Sequence, residues 1–186
     1  ETRQWCLDEY DDFYKDFGVK FDTFYFESEM EQPGVKISHD LVKKKIAKED
    51  EGALIIDFKD EVLGVFVLVT KEGYALYSAK DLGLAMQKMK DFKKIDKSIH
   101  LVGKEQELHF KQLFKTFELM KLDTKIPSHH LIYELVMLPE GKMSSRDGNV
   151  VLYPELRDKL YDAAKEEVKK RHKDWSAKRI EESAIN

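Results

Sequence analysis

The sequence predicts an α/β protein, with a first third of mixed α and β character and antiparallel pairing, followed by a parallel sheet flanked by helices. Three observations predict it. Two β-rich apolar runs, 53–58 and 62–70, are separated only by Lys59-Asp60-Glu61, a spacing that suits a hairpin. After Gly73 the order becomes helix, strand, helix, strand, loop, helix, the rhythm of strands joined by crossover helices. The 186 residues, 42% hydrophobic and 11% aromatic, suffice for a buried core.

Residues 2–17 carry Trp5, Leu7, Tyr10, Phe13, Tyr14 and Phe17 at helical spacing, and Gly18 is placed to cap the helix. The aromatic run Phe21 to Phe26 is a strand candidate. Pro33 and Gly34 punctuate, so the next helix is expected over 38–48 with Ser38 or Asp40 near its N-cap. The hairpin follows. Then come a helix over 79–91, a strand over 98–102 ending at Gly103, and a helix over 105–120 carrying Leu108, Phe110, Leu113, Phe114 and Phe117. A strand is expected over 130–138, a loop over 141–149, a short extended piece over 150–153, and helices over 154–172 and 176–184.

Composition excludes several classes. No apolar run approaches the roughly 20 residues of a membrane helix, since the longest, Val62 to Val69, is interrupted by Gly64. One cysteine, Cys6, precludes an intramolecular disulfide and argues against a thiolate zinc site. The chain therefore reads as soluble and intracellular. Its net charge of −4 makes any contact with nucleic acid local, not global. Of the 32 basic residues 27 are Lys, which mostly speaks for a solvated surface and draws attention to the few arginines. The start at Glu1 and the end at Asn186, straight after a helix-like run, suggest a piece of a larger protein, with processing as the other explanation.

The clearest chemical feature is the loop Gly141-Lys142-Met143-Ser144-Ser145-Arg146-Asp147-Gly148-Asn149. Two cations, two hydroxyls and flexible glycines directly after an apolar strand suit phosphate oxygens, and α/β sheets bind ligands beyond the carboxyl ends of their strands. Composition alone leaves an ordinary polar surface loop equally open. His129 and His130 beside Glu134 do not make a metal site, because neighbouring residues of a strand point to opposite faces. Trp175 and Lys169-Lys170-Arg171 either contact RNA or form a solvated helix face.

Lys142-Met143-Ser144-Ser145-Arg146 resembles the KMSKS loop of class I aminoacyl-tRNA synthetases, and the longer string from Leu138 to Val151 resembles the version carried by arginyl-tRNA synthetases. Tyr77-Ser78-Ala79-Lys80-Asp81-Leu82 is similar to that family's Tyr-x-x-x-Asp-Leu element, and Val102-Gly103-Lys104-Glu105-Gln106-Glu107-Leu108-His109-Phe110 to its Val-Gly-x-x-Gln-x-x-His-Phe block. The resemblance covers nearly the whole chain. It implies the second half of a Rossmann-like nucleotide fold plus a smaller mixed α/β inserted region. It implies arginine binding by Tyr77, Asp81 and Gln106, and ATP binding by His109, Lys142, Met143 and Ser144. Lys142, Ser144, Ser145 and Arg146 are implied as the catalytic loop. ATP enters as a substrate with Mg2+, no tightly bound cofactor is expected, and tRNA is the partner of the full-length parent, in the cytoplasm.

Ser145 stands where the general pattern has its second lysine, Asp147 reduces the positive field of the loop, and Lys104 replaces a usually small residue. None of the six histidines forms the His-x-Gly-His motif that class I synthetases pack against ATP. The expected organisation is an inserted region over 1–73, the second half of the catalytic fold over 74–153, and a helical segment over 154–186 leading towards an anticodon-binding domain. The expected function is that of a piece of an arginine–tRNA ligase, inactive alone. A non-catalytic module that binds arginine or a partner protein is the alternative.

Overall fold

The computed structural model describes residues 2–122, 127–134, 137–138, 141–142 and 150–185. Contacts divide the chain into two compact units, Glu1–Tyr133 and Glu134–Asn186.

The larger unit opens with α1 (Thr2–Asp16), none of whose residues is buried. Gly18 ends it in the left-handed conformation at φ +62°, with the Val19 N–H donating to the Tyr14 carbonyl. Phe21 to Phe26 forms no strand. Its rings pack locally instead, Phe21 against Tyr14 of α1 at 4.7 Å and against Phe24 at 5.6 Å, so the aromatic content that suggested a strand serves a ring cluster.

α2 (Glu27–Lys43) starts eleven residues earlier than the sequence suggests and runs through Pro33 and Gly34. Proline forfeits one helical hydrogen bond, and the glycine beside it permits a close helix crossing. A Cβ on Gly34 would sit 2.7 Å from the Ala79 carbonyl oxygen of α3 (Tyr77–Asp91), and one on Gly83 only 3.2 Å from the Met30 carbonyl oxygen of α2. Ser38, expected at an N-cap, is buried mid-helix and donates to the Gly34 carbonyl at 2.8 Å.

β1 (Lys48–Asp50), β2 (Ala53–Asp57) and β3 (Val65–Val69) form an antiparallel sheet in that order. The β2–β3 hairpin matches the sequence expectation, with Ile56 opposite Phe66. β1 is polar and exposed, hence invisible to hydrophobic patterning; Glu51 at φ +48° and Gly52 at φ +84° make the two-residue turn that joins it to β2. α3 lies against this sheet, where the Ser78 hydroxyl donates to the Val67 carbonyl and the Leu76 N–H to Leu68.

β4 (Ser98–Gly103), a single 3₁₀ turn (Lys104–Gln106), α4 (Glu107–Leu119) and β5 (Ser128–Tyr133) complete the unit. β4 and β5 are parallel and in register from Ser98↔Ser128 to Gly103↔Tyr133, so the second part of the unit is the strand–helix–strand unit that the rhythm implies. Leu41, Ile56, Leu68, Leu82, Leu113 and Phe117 centre one core shared by α2, the antiparallel sheet, α3 and α4.

In the smaller unit, β6 (Met137–Leu138) pairs with β7 (Gly141–Lys142) antiparallel. The strand expected over 130–138 is thus divided: β5 ends at Tyr133 and Met137–Leu138 turns back on its own hairpin. Residues 150–152 lie outside any strand, and α5 (Tyr153–Arg171) begins at Tyr153, with Pro154 in its first turn where a missing N–H costs nothing. α6 (Ala177–Ile185) follows, tied to α5 by Lys165–Glu181 at 2.9 Å. Between them the His172 ring stacks on Trp175 at 3.8 Å, and the Arg179 guanidinium lies over the Trp175 ring at 4.0 Å.

The helix crossing yields a direct test. Gly34→Ala should lower stability by about 1–3 kcal/mol, because the methyl group meets backbone and not a movable side chain. Urea unfolding of the two proteins measures it, and an unchanged midpoint would mean that α2 and α3 can part without loss.

Candidate functional site

Three of the residues singled out from sequence converge where α3 faces α4. Tyr77 is the first residue of α3 and Asp81 lies one turn on, so both project from the same side of its N-terminal end. His109 sits in the first turn of α4. Its Nε2 is 2.7 Å from Asp81 Oδ2, and its ring centroid is 4.5 Å from that of Tyr77. An ionised carboxylate only accepts, so Nε2 carries the proton and donates. His109 is 6% exposed, Tyr77 56%, and the Asp81 side chain 32%. Phe66 and Phe110 close the other sides of the imidazole at 5.5 and 5.2 Å, and the buried Nδ1 has no hydrogen-bond partner among the described residues.

The backbone that presents Tyr77 and Asp81 is held from α2. Glu31 accepts the Ala75 N–H at 3.1 Å and pairs with Lys80 at 3.0 Å, and Glu27 pairs with the same ammonium at 2.8 Å. The hydrogen bonds that Lys80 donates to Glu27 and Glu31 raise its ammonium above the ordinary range, and the bond accepted from Lys80 lowers the Glu31 carboxyl. α4 is fixed in turn by Gln112, whose amide donates to the Leu63 carbonyl at 2.6 Å.

Beneath Asp81 lies a cavity of about 20 Å³, room for one water molecule. Its polar lining is Asp81, Lys88, Ser98, His100 and Ser128. Burial pushes the Lys88 ammonium down, opposed by the charge of Asp81. Burial is also the main reason that His100 is lowered to about 4, with repulsion from Lys88 second. His100 Nε2 lies 3.2 Å from the Ser98 hydroxyl. Asp81 is therefore flanked by a donating His109, an uncharged His100 and a partly desolvated Lys88. The sequence reading missed Lys88, His100 and Glu31; the heptad spacing of Lys88 from Asp81 on α3 was the one local signal.

Gln106 ends the 3₁₀ turn, one helical turn before His109, half-buried and without a hydrogen bond to Tyr77 or Asp81 among the described residues. Lys142 is placed only as backbone in β7, opposite Met137. Met143, Ser144, Ser145, Arg146 and Asp147 lie outside the described residues. His130 is half-buried against Phe110 at 4.8 Å while His129 is exposed, and among the described residues no three potential ligands gather to hold a metal ion. No helix among the described residues is long and apolar enough to cross a membrane.

Comparison with known proteins bears on this arrangement. The sequence matches the family model described as tRNA synthetases class I (R), catalytic domain, over residues 4–185. It is 38% identical over 185 residues to an arginine–tRNA ligase of Bdellovibrio bacteriovorus, covering 99% of this chain and 32% of that one. It is 34% identical over 162 residues to that of Flavobacterium psychrophilum, covering 87% and 27%. The fold is similar to the crystal structure of arginyl-tRNA synthetase from Plasmodium falciparum, with a TM-score of 0.70 at 17% identity over 98% of this chain and 31% of that one. The chain spans about a third of the length of these curated relatives.

The burial of His100 predicts a pH dependence. Its folded value of about 4 lies below the ordinary 6.5, so its contribution to stability is complete above about pH 6.5. As pH falls towards 4 the unfolded chain takes up a proton that the folded one refuses, and stability drops across that window. Urea unfolding at neutral pH and near pH 4.5 should show a smaller loss for His100→Phe than for the unsubstituted chain. Equal losses would contradict the burial effect.

Proposed function

The chain belongs to the family of class I tRNA synthetase (R) catalytic domains, and from that premise we propose that it forms the arginine-binding part and the phosphate loop of an arginine–tRNA ligase. In the reaction of such a ligase the arginine carboxylate attacks the α-phosphate of ATP and pyrophosphate leaves. A terminal hydroxyl of tRNA then attacks the adenylate's carbonyl carbon and AMP leaves. The substrate supplies its own nucleophile, so the protein contributes positioning and charge stabilisation.

One observation carries the assignment of the arginine site. Asp81 Oδ2 is engaged by His109, Oδ1 receives no side-chain hydrogen bond among the described residues, and the exposed ring of Tyr77 stands beside it. A guanidinium offers a planar fork of N–H donors to a carboxylate and a flat face to an aromatic ring. Gln106, one turn before His109, is proposed to complete the amino-acid pocket. The resemblance sets His109 beside ATP, and its bond to Asp81 ties it to the arginine side as well. Lys142, Met143, Ser144, Ser145 and Arg146 are proposed to hold the ATP phosphates. Mg2+ would arrive with the nucleotide, and no step is assigned to it.

The organisation proposed for these residues is an inserted region over 1–73, catalytic fold over 74–153 and a helical segment over 154–186. Because no His-x-Gly-His motif occurs among the 186 residues, we propose that they do not aminoacylate by themselves. Efficient charging of tRNA by this purified chain would contradict that.

Calorimetric titration with arginine and with citrulline tests the site, since citrulline nearly matches arginine in shape but lacks the guanidinium charge. Arginine should bind about 100-fold more tightly than citrulline, and Asp81→Asn should weaken arginine about tenfold or more. Absent binding of arginine, or binding equal to that of citrulline, would overturn the assignment.

A further inference from the structure

We propose that His109 is a positioning residue that sets guanidinium selectivity by holding Asp81 in its arginine-facing orientation and away from Lys88. This rests on the arginine-site reading and names a residue that acts through Asp81.

The imidazole is unusually constrained. It is buried, it donates Nε2–H to Asp81 Oδ2 at 2.7 Å, and Asp81 is its one hydrogen-bond partner among the described residues. Tyr77, Phe66 and Phe110 surround the ring. A half-turn of the ring about its outer bond would remove the donor from Asp81 without providing an acceptor for the other nitrogen, so one tautomer in one orientation is selected. The backbone beneath is equally fixed. Phe110 and Leu113 of α4 lie in the core, and the N-terminal end of α3 is pinned through Ala75 to Glu31 and through Ser78 to β3.

Lys88 offers Asp81 an alternative partner. Lys88 lies two turns further along α3 and lines the same small cavity. Its ammonium is partly stripped of water, and a carboxylate turning towards it would regain Coulomb energy for both groups. Such a carboxylate would be neutralised from within and would have little left for an incoming guanidinium. The hydrogen bond from His109 opposes that rotation, since it is made only while Oδ2 points at α4 and Oδ1 is left over.

Arginine and citrulline titrations of three variants test the proposal. His109→Leu keeps bulk in the aromatic enclosure but removes the donor, and should weaken arginine binding about tenfold. His109→Gln places an amide N–H close to the position of Nε2, and should restore affinity to within about threefold of the unsubstituted chain. Lys88→Met added to His109→Leu should recover part of the loss by removing the competing cation.

Arginine binding by His109→Leu equal to that of the unsubstituted chain overturns the proposal while leaving the arginine site intact. So does a folded His109→Gln that binds as weakly as His109→Leu. Failure of the unsubstituted chain to prefer arginine to citrulline overturns the arginine-site reading and the proposal together. Should His109→Leu not fold, nitrogen NMR of the histidine rings decides. A neutral His109 protonated at Nε2 supports the proposal, and one protonated at Nδ1 overturns it.

Discussion

The placing of Tyr77 and Asp81 depends on how closely α3 approaches α2. At the crossing, two glycines replace side chains with backbone. Gly34 lies against the Ala79 carbonyl and Gly83 against that of Met30. This removes the usual layer of side chains between the helices and brings Glu31 within reach of the Ala75 N–H, immediately before α3 begins. On its other side Ser78 of α3 donates to the Val67 carbonyl of β3. An N-terminal helix end normally leaves N–H groups to solvent or to a capping side chain, and here Leu76 supplies no cap. The neighbouring helix and strand hold that end, and Tyr77 and Asp81 inherit their positions from it.

The charge arrangement around Asp81 follows from partial burial more than from pairing. One carboxylate faces three nitrogenous side chains, yet only one of them makes a hydrogen bond to it. His100 escapes competition by becoming neutral, because the cavity penalises its cation more than Asp81 rewards it. Lys88 suffers the same penalty, opposed by the charge of Asp81. A site built on such a carboxylate needs its internal cations neutral or kept from pairing with it: desolvation leaves His100 uncharged, and the bond from His109 holds the carboxylate for which Lys88 competes.

Much of this fold was legible in sequence, and the parts that were not share a cause. The hairpin, α3 and the β4–α4–β5 unit carry apolar periodicity or β-branched runs, and the structure contains them together with the final helices. Patterning failed where a tertiary contact overrode a local signal. Pro33-Gly34 reads as punctuation until α3 is present to use the glycine, and the helix expected to reach Lys48 ends at Lys43, because Lys48-Glu49-Asp50 pairs with Ile55, Leu54 and Ala53 as a strand. Aromatic Phe21–Phe26 fails in the opposite sense, since strand propensity without a partner strand gives no strand. For the site, the Tyr77–Asp81 spacing was local and readable. The Asp81–His109 bond spans 28 residues and two helices, so no local pattern could announce it.

Magnitudes separate the interactions that matter from the many charged contacts on the surface. Lys15–Asp12, Arg171–Glu167 and Lys178–Glu182 join side chains that are about half exposed or more, where water screens the attraction and each pair adds little to stability. Lys80 differs, its side chain only 18% exposed and shared between two carboxylates, one of which also holds a backbone N–H. The Asp81–His109 bond differs further, because its donor is fully enclosed. A charge-assisted bond of that kind contributes about 1.5–3 kcal/mol, and its loss would also leave a second imidazole nitrogen buried without a partner. Its energy is enough to decide which way a carboxylate points, and too small to hold the two helices together. α2, α3, α4 and the core carry stability, and the histidine carries orientation.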